Sequence, residues 1–328
     1  MTIRQILLLS FTISMLACSR QPALTDNTTS EPIRLEKEYM LDGGSSGMEQ
    51  LSDNSYLVVY DLKTYSNGIR LGIIEVFDDS ITVKPVAVDH WDAEGIASDL
   101  ESICAIPGRT NEFLIAEAGN WQGKLGRVFH IKLDRVNQKA MMLGSFKYPQ
   151  LHRNDFDIEG DQYEGMLCFP YDENSRIVLM GERGGTQSNP TGLVRWGKLN
   201  LNDHSFTMQG EGLKGIPVSA PGDWINPESK RSITDLHIDG EGRIWAAASQ
   251  DQTDVGPFYS LIYQLGRTNL FDKERPFVIF ENIVLSQAVS GFKIEALSGP
   301  CKNINSTHSI GTEDEMFGGV WRPVYIKK

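Results

Sequence analysis

The chain has 328 residues, 40% of them hydrophobic and 23% charged, and its 43 acidic residues outnumber 31 basic ones for a formal net charge of −12. So acidic a surface repels a DNA or RNA backbone, and no Lys/Arg run offers a basic patch, which excludes nucleic acid as an expected partner. No helical period of useful length appears, so the length must be filled by strands.

The first segment, MTIRQILLLSFTISMLAC, carries Arg4, then an apolar run from Ile6 to Ala17, then Cys18. That run is too short to span a bilayer as a helix and reads as a signal peptide over residues 1–17. Met15-Leu16-Ala17-Cys18 resembles the bacterial lipobox, whose Cys becomes the lipidated first residue of the mature chain. Methionine at position 15 leaves an ordinary secretory signal cleaved nearby as the alternative. Two or more acyl chains on Cys18 would anchor the protein firmly. Ser19 after the Cys resembles the sorting pattern for the outer membrane of enteric bacteria. The expected location is therefore the bacterial cell envelope, lipid-anchored at the outer membrane and facing the periplasm. Residues 18–32 are polar and rich in Thr and Ser, and read as a flexible tether.

From residue 33 to 328 alternating and β-branched runs dominate, as in SYLVVYD, SITVKPVAV and PFVIFENI,. Five times an acid heads an apolar strand: Glu49 in GMEQL, Glu101 in DLESI, Glu164 in YEGML, Asp235 in ITDLH and Glu295 in KIEAL. A second strand ending in an acid follows each. ESICAIPGRTNEFLIAEAG (101–119) and EGMLCFPYDENSRIVLMGERG (164–184) share the order acid, apolar stretch, turn, apolar strand, acid and Gly. Asp61 closes LVVYD, Asp251 closes IWAAASQD, and Glu313, Asp314 and Glu315 close SIGTEDE. A third strand such as GIRLGIIEV or GLVRWGKLN comes next. The leading acids are 52, 63, 71 and 60 residues apart, a spacing that suits four-stranded blades with variable loops,.

These periods predict an all-β fold, a five-bladed β-propeller forming a single domain over 33–328. The last copy has room for only two or three strands. The segment near Ile33–Met40 is expected to supply the missing outer strand and remove the free edges. Six blades are the alternative, with an extra inner strand between Trp196 and Arg231. Cys104 and Cys168 fall on inner strands of neighbouring repeats, where buried free thiols are the first expectation and a disulfide the second. Cys301 sits in a loop.

The first strand of each propeller blade lines the central channel, so Glu49, Glu101, Glu164, Asp235 and Glu295 are expected to converge as a ring of carboxylates. Like charges held together raise one another's pKa or bind a cation. Six to eight oxygen ligands at about 2.3–2.6 Å suit Ca²⁺. The six histidines show no paired spacing for zinc,. The plainer reading is that the acids cap strands or hold water in a polar channel. In the fourth copy the register leaves Thr234 or Asp235 facing the axis. The second-strand acids Asp61, Glu117, Glu182 and Asp251 are expected to pair with third-strand Arg70, Arg127, Arg195 and Arg322.

Other motifs fail on context. Gly43-Gly44-Ser45-Ser46-Gly47 matches G-x-S-x-G but precedes a strand rather than joining strand to helix. Cys104 and Arg109 are spaced one short of a Cys-x5-Arg phosphatase loop. Gly181-Glu182-Arg183-Gly184-Gly185 is not followed by the Gly-Lys-Ser/Thr of a Walker loop.

Asp99-Leu100-Glu101, Tyr163-Glu164-Gly165 and Ile294-Glu295-Ala296, with the closing run IGTEDEMFGGVWRPV, resemble the bacterial phytase-like, or esterase-like-phytase, propeller proteins. Their motif is D-x-E-G and their closing blade reads like GTDDExxGG. More distantly, Gly47-Met48-Glu49 is similar to the GMEL run of the calcium-activated nucleotidases, or apyrases, five-bladed proteins with a Glu from most blades around one axial Ca²⁺. The resemblance implies calcium as cofactor and Glu49, Glu101, Glu164, Asp235 and Glu295 as its ligands. The Lys and acid clusters that hold phosphate in the phytase-like proteins, and the nucleotide-contacting loops of the apyrases, are not matched by residues placed here. Fold analogy does not carry activity.

Two functions therefore compete. In one, an axial ion and nearby bases such as Arg183 and Lys124 hold a phosphorylated small molecule for metal-assisted hydrolysis of a phosphoric ester. In the other, calcium is structural and a monomeric propeller binds a ligand or protein on its loop-rich face, where Trp121 and Trp224 offer stacking surfaces or loop packing. If Cys18 is the lipid attachment site, Cys18→Ser moves the protein from the membrane fraction to the soluble fraction while its far-UV circular dichroism stays unchanged. Wild-type protein found wholly soluble would contradict the anchor.

Overall fold

The computed structural model describes residues 39–41, 43–62, 69–89, 99–118, 126–149, 151, 162–186, 189–250 and 252–326. Cys18, the signal segment, the tether, Trp121, Lys124 and Asp251 lie outside them. The chain builds five sheets in succession. After β1 (Tyr39–Leu41), the first blade comprises β2 (Gly47–Ser52), β3 (Ser55–Val59), β4 (Leu71–Val76) and β5 (Ile81–Pro85). The second is β7 (Leu100–Ala105), β8 (Glu112–Glu117), β9 (Arg127–Asp134) and β10 (Lys139–Lys147), with β6 (Ala87–Asp89) parallel to the outer edge of β10. The third holds β11 (Tyr163–Pro170), β12 (Ser175–Glu182) and β13 (Gly192–Asn200). Its outer edge is shared by β14 (Phe206–Thr207) and β15 (Ile216–Val218), both on β13. The fourth is β16 (Lys230–Ile238), β17 (Arg243–Gln250), β18 (Tyr259–Thr268) and β19 (Phe277–Ser290).

The fifth blade has β20 (Ile294–Ser298), β21 (His308–Thr312) and β22 (Gly319–Val324), and takes its fourth strand from β1. Tyr39 stands opposite Trp321 in this antiparallel pair, which closes the propeller as expected. The six-bladed alternative fails. The long interval between Trp196 and Arg231 holds the two outer strands β14 and β15 and the five-residue helix α1 (Gly210–Lys214), not an inner strand.

Each of five apolar clusters occupies one interface between neighbouring blades, and strand alternation explains how a single strand feeds two of them. On β8, Phe113 and Ile115 face the first blade, whereas Leu114 and Ala116 face the third. On β17, Ile244, Ala246 and Ala248 pack toward the third blade and Trp245 and Ala247 toward the fifth. The middle strands are buried on both faces, which is why their sequences read as unbroken apolar runs. Gly165 and Gly181 stand opposite one another across β11 and β12. A Cβ at Gly165 would lie 2.7 Å from Leu236 Cγ, and one at Gly181 would lie 2.6 Å from Ile233 Cγ2, so this pair lets the fourth blade seat closely,. Cys104, Cys168 and Cys301 are buried free thiols.

Glu117 and Glu182 form the expected second-to-third-strand ion pairs. Glu117 receives Arg127 Nη2 at 2.6 Å and Nε at 3.1 Å, as well as the backbone N–H groups of Gly126 and Arg127. Glu182 receives Arg195 Nε at 3.2 Å. Both pairs are buried. Neither acid lines the axial pocket, whereas Asp61 does. Removing one partner leaves a buried charge uncompensated, so Glu117→Gln is expected to lower the urea-unfolding free energy by about 3–5 kcal/mol. Adding Arg127→Met should recover a large part of that loss, and no recovery would show that the pair is not the source.

Candidate functional site

The innermost strands β2, β7, β11, β16 and β20 neighbour one another in a closed ring. Their N-terminal ends enter from the same face, which brings the leading acids to the axis. Three of the five share one structural device. The ladder skips one residue at Glu101, between Leu100 and Ser102, and again at Glu164 and at Glu295. A bulged residue is unpaired in the ladder and its side chain is re-aimed. The carboxylates of Glu101, Glu164 and Glu295 accordingly line one axial pocket of about 200 Å³.

Glu49 and Asp235 do not line this pocket. The first blade has no bulge at Glu49, and its Oε2 accepts the N–H of Ala105 while Oε1 accepts that of Gln50. In the fourth blade the irregularity spans Arg231 to Asp235. Asp235 accepts the N–H groups of Leu236 at 2.7 Å and Leu297 at 2.6 Å, and Thr234 Oγ1 donates to Ile294 O. Leu297 lies two residues beyond Glu295 along β20, so Asp235 sits one side-chain step deeper, roughly 7 Å along a strand. The five predicted positions thus split into three at the mouth and two further in.

Seven carboxylates and three basic groups surround the mouth pocket. One side is clamped by ion pairs. Glu164 Oε1 meets Arg183 at 2.9 Å and Arg231 at 3.6 Å, Glu295 meets Arg231 at 3.0 Å and Lys293 at 3.1 Å, and Lys293 also holds Glu313 and Glu315. On the other side Asp61, Asp99 and Glu101 each place a carboxylate oxygen within 4.8 Å of the others. Glu164 Oε2 is buried without a hydrogen-bond partner among the described residues.

Charge separates Glu101 from Glu295. Burial pushes Glu101 well above the usual carboxylate range, and Glu295, Glu164, Glu313 and Asp61 push it further. Burial would also raise Glu295, but Lys293 and Arg231 outweigh it and hold this acid at about 2. Glu313 rises through burial and its neighbour Glu295. Deeper in, burial raises Asp235 well above its ordinary value despite its two backbone donors. The arrangement offers an ionised acid beside one that is neutral unless a cation arrives. Oxygen donors of this kind could hold a hard divalent ion, Glu164 Oε2 among them, since it has no hydrogen-bond partner among the described residues,.

Arg231 and Lys293 are the site residues that sequence reasoning missed. Lys293 immediately precedes the β20 motif and Arg231 begins β16, but nothing in either local pattern marks a residue of the axis. Trp224 serves loop packing, its Nε1 donating to Pro221 O at 3.0 Å and its ring packing on Tyr259.

No protein family and no curated protein matches the chain. Among solved structures, it is similar to a thermostable family-43 glycoside hydrolase at 11% identity, covering 87% of this chain and 91% of that one, with a TM-score of 0.49. It is also similar to an endo-1,4-beta-xylanase from Bacteroides thetaiotaomicron VPI-5482 (9% identity, 85% and 87% coverage, TM-score 0.46). A third is the alpha-L-arabinanase of Penicillium chrysogenum complexed with arabinobiose (7% identity, 87% and 95% coverage, TM-score 0.41). At these values the likeness assigns neither substrate nor chemistry.

Glu49 supplies a pH test. Burial lifts its carboxyl to about 7 against the opposing bonds from Ala105 and Gln50. Between about pH 4.5 and 7 the folded chain then keeps a proton that the unfolded chain has released, so stability falls as pH rises through this window. Glu49→Gln keeps an acceptor for one of the two N–H groups and removes the titration. Relative to wild type, the variant should gain about 1–3 kcal/mol between pH 4.5 and pH 8, as measured by urea unfolding at each pH. Parallel pH profiles for the two proteins would contradict this.

Proposed function

We propose that the protein is a calcium-dependent phosphoric-ester hydrolase carried on the cell envelope by Cys18. The observation that supports it is the oxygen cluster of the axial pocket: Asp61, Asp99 and Glu101 each place a carboxylate oxygen within 4.8 Å of the others, in the pocket that Glu164 also lines, and Glu164 Oε2 has no hydrogen-bond partner among the described residues. These four residues would hold the ion. Bound there, calcium would supply the positive charge that draws a phosphoryl oxygen and acidifies a water. Arg183 lines the pocket, its Nε has no hydrogen-bond partner among the described residues, and its guanidinium would donate to a substrate oxygen. Glu295 stays ionised because Arg231 and Lys293 hold it, and its role is to fix those two cations at the pocket rather than to take a proton,. Hydrolysis breaks one P–O bond, water supplying the new oxygen and the alcohol leaving with a proton.

A second reading is a non-catalytic propeller that binds a small-molecule or protein ligand around structural calcium. It is favoured by the ion pairs of Arg231 and Lys293, each of which already clamps more than one carboxylate. Both readings require the ion. Calcium at about 100 times its Kd should stabilise the fold by about 2.7 kcal/mol, and Asp61→Asn and Glu101→Gln should each weaken this response at least tenfold in calcium concentration. A melting curve indifferent to calcium and chelator would overturn the metal centre. Turnover of phosphomonoester, phosphodiester and nucleotide panels in calcium, lost in chelator and in Glu101→Gln, separates catalysis from binding.

A further inference from the structure

A second cavity, about 550 Å³, opens between the fourth and fifth blades. Its wall includes Ile225, Val255, Phe258, Tyr259, Phe292 and Phe317. Three of these are the exposed large apolar side chains Val255 (61% exposed), Phe317 (62%) and Ile225 (51%), and Met316 is exposed close by. Phe258 and Phe317 meet edge to face at 6.4 Å. A clustered apolar surface of this kind marks a binding site rather than scattered exposure.

The groove and the acidic pocket share a wall. Phe292 lines the groove while Lys293, the next residue, lines the pocket. Asp314 and Phe317 line the groove while Glu313 and Glu315 line the pocket. Both openings lie on the face where the inner strands begin. Asp314, the acid of the groove, has both oxygens engaged, one by the Lys293 N–H and the other by Thr312 Oγ1. The groove is therefore apolar in effect, one backbone thickness from the carboxylates.

Resting on the hydrolase reading above, we propose that this groove receives the alcohol part of the substrate, and that the substrate is a soluble phosphoric ester of an aryl or alkyl alcohol carrying a single phosphate. Charge supports the second half of this statement. Among the described residues acids outnumber bases seven to three at this mouth, so each further phosphate on a substrate adds repulsion,. A polyphosphorylated polyol brings further negative charge to that mouth and no apolar group for the groove, and a nucleoside triphosphate brings further negative charge. A single phosphate fits the ion, and an apolar substituent fits beyond the Asp314–Phe317 rim.

The test uses the full chain in calcium, with hexylphosphonate and methylphosphonate as non-hydrolysable probes in isothermal titration. Each buried methylene contributes about a fourfold gain, so hexylphosphonate should bind at least about tenfold more tightly. Val255→Asp and Phe317→Asp, at exposed positions that leave the core intact, should each bring the ratio close to one. Equal binding of the two probes, or a ratio that survives both substitutions, overturns the proposal. So does binding confined to phosphatidic acid vesicles. If neither phosphonate binds, the phosphoric-ester reading fails, and the groove is judged by the neutral fluorophore N-phenyl-1-naphthylamine. Fluorescence enhancement by wild type that both substitutions abolish supports an apolar subsite; no enhancement, or equal enhancement, overturns it.

Discussion

Closure of the ring is the constraint from which the rest follows. Five sheets packed face against face bury both surfaces of their middle strands, and the circle is complete only when β1 pairs with β22. Leaving that edge open would expose a row of unpaired backbone groups. Once closed, the ring commits the N-terminal ends of five strands to one narrow axis. Whatever side chains stand there must share a small volume with little water.

Acids placed in that volume repel one another, and the structure answers the repulsion differently at different places. Lys293, Arg231 and Arg183 neutralise Glu295, Glu164, Glu313 and Glu315. Backbone N–H groups of neighbouring inner strands carry Glu49 and Asp235. Glu101, crowded by Glu295, Glu164, Glu313 and Asp61, is pushed toward holding its proton. The apolar groove behind the Glu313–Phe317 loop lies beside the clamped half, so a ligand reaching both would lie across Lys293 and its acids.

Much of this was readable in the residues. The repeating order of acid, apolar strand, turn and second acid produced the blade number, because a blade is a local unit and its pattern survives in a local stretch of chain. The Glu117–Arg127 and Glu182–Arg195 pairs were likewise legible, since consecutive antiparallel strands are neighbours in space. The depth of each acid was not. Alternation tells which face of a strand a residue occupies, but a residue two places further along occupies the same face one step deeper.

The sequence by itself determined the all-β class, the five repeats and the presence of an acid on every inner strand. Only the tertiary structure decided which of those acids meet. One-residue bulges lift Glu101, Glu164 and Glu295 to the mouth, while a longer irregularity in β16 brings Arg231 there and leaves Asp235 below. The physical reason is that a bulge is set by how a strand fits its neighbours around a closed ring. That fit is a property of all five blades together, and no single repeat contains it.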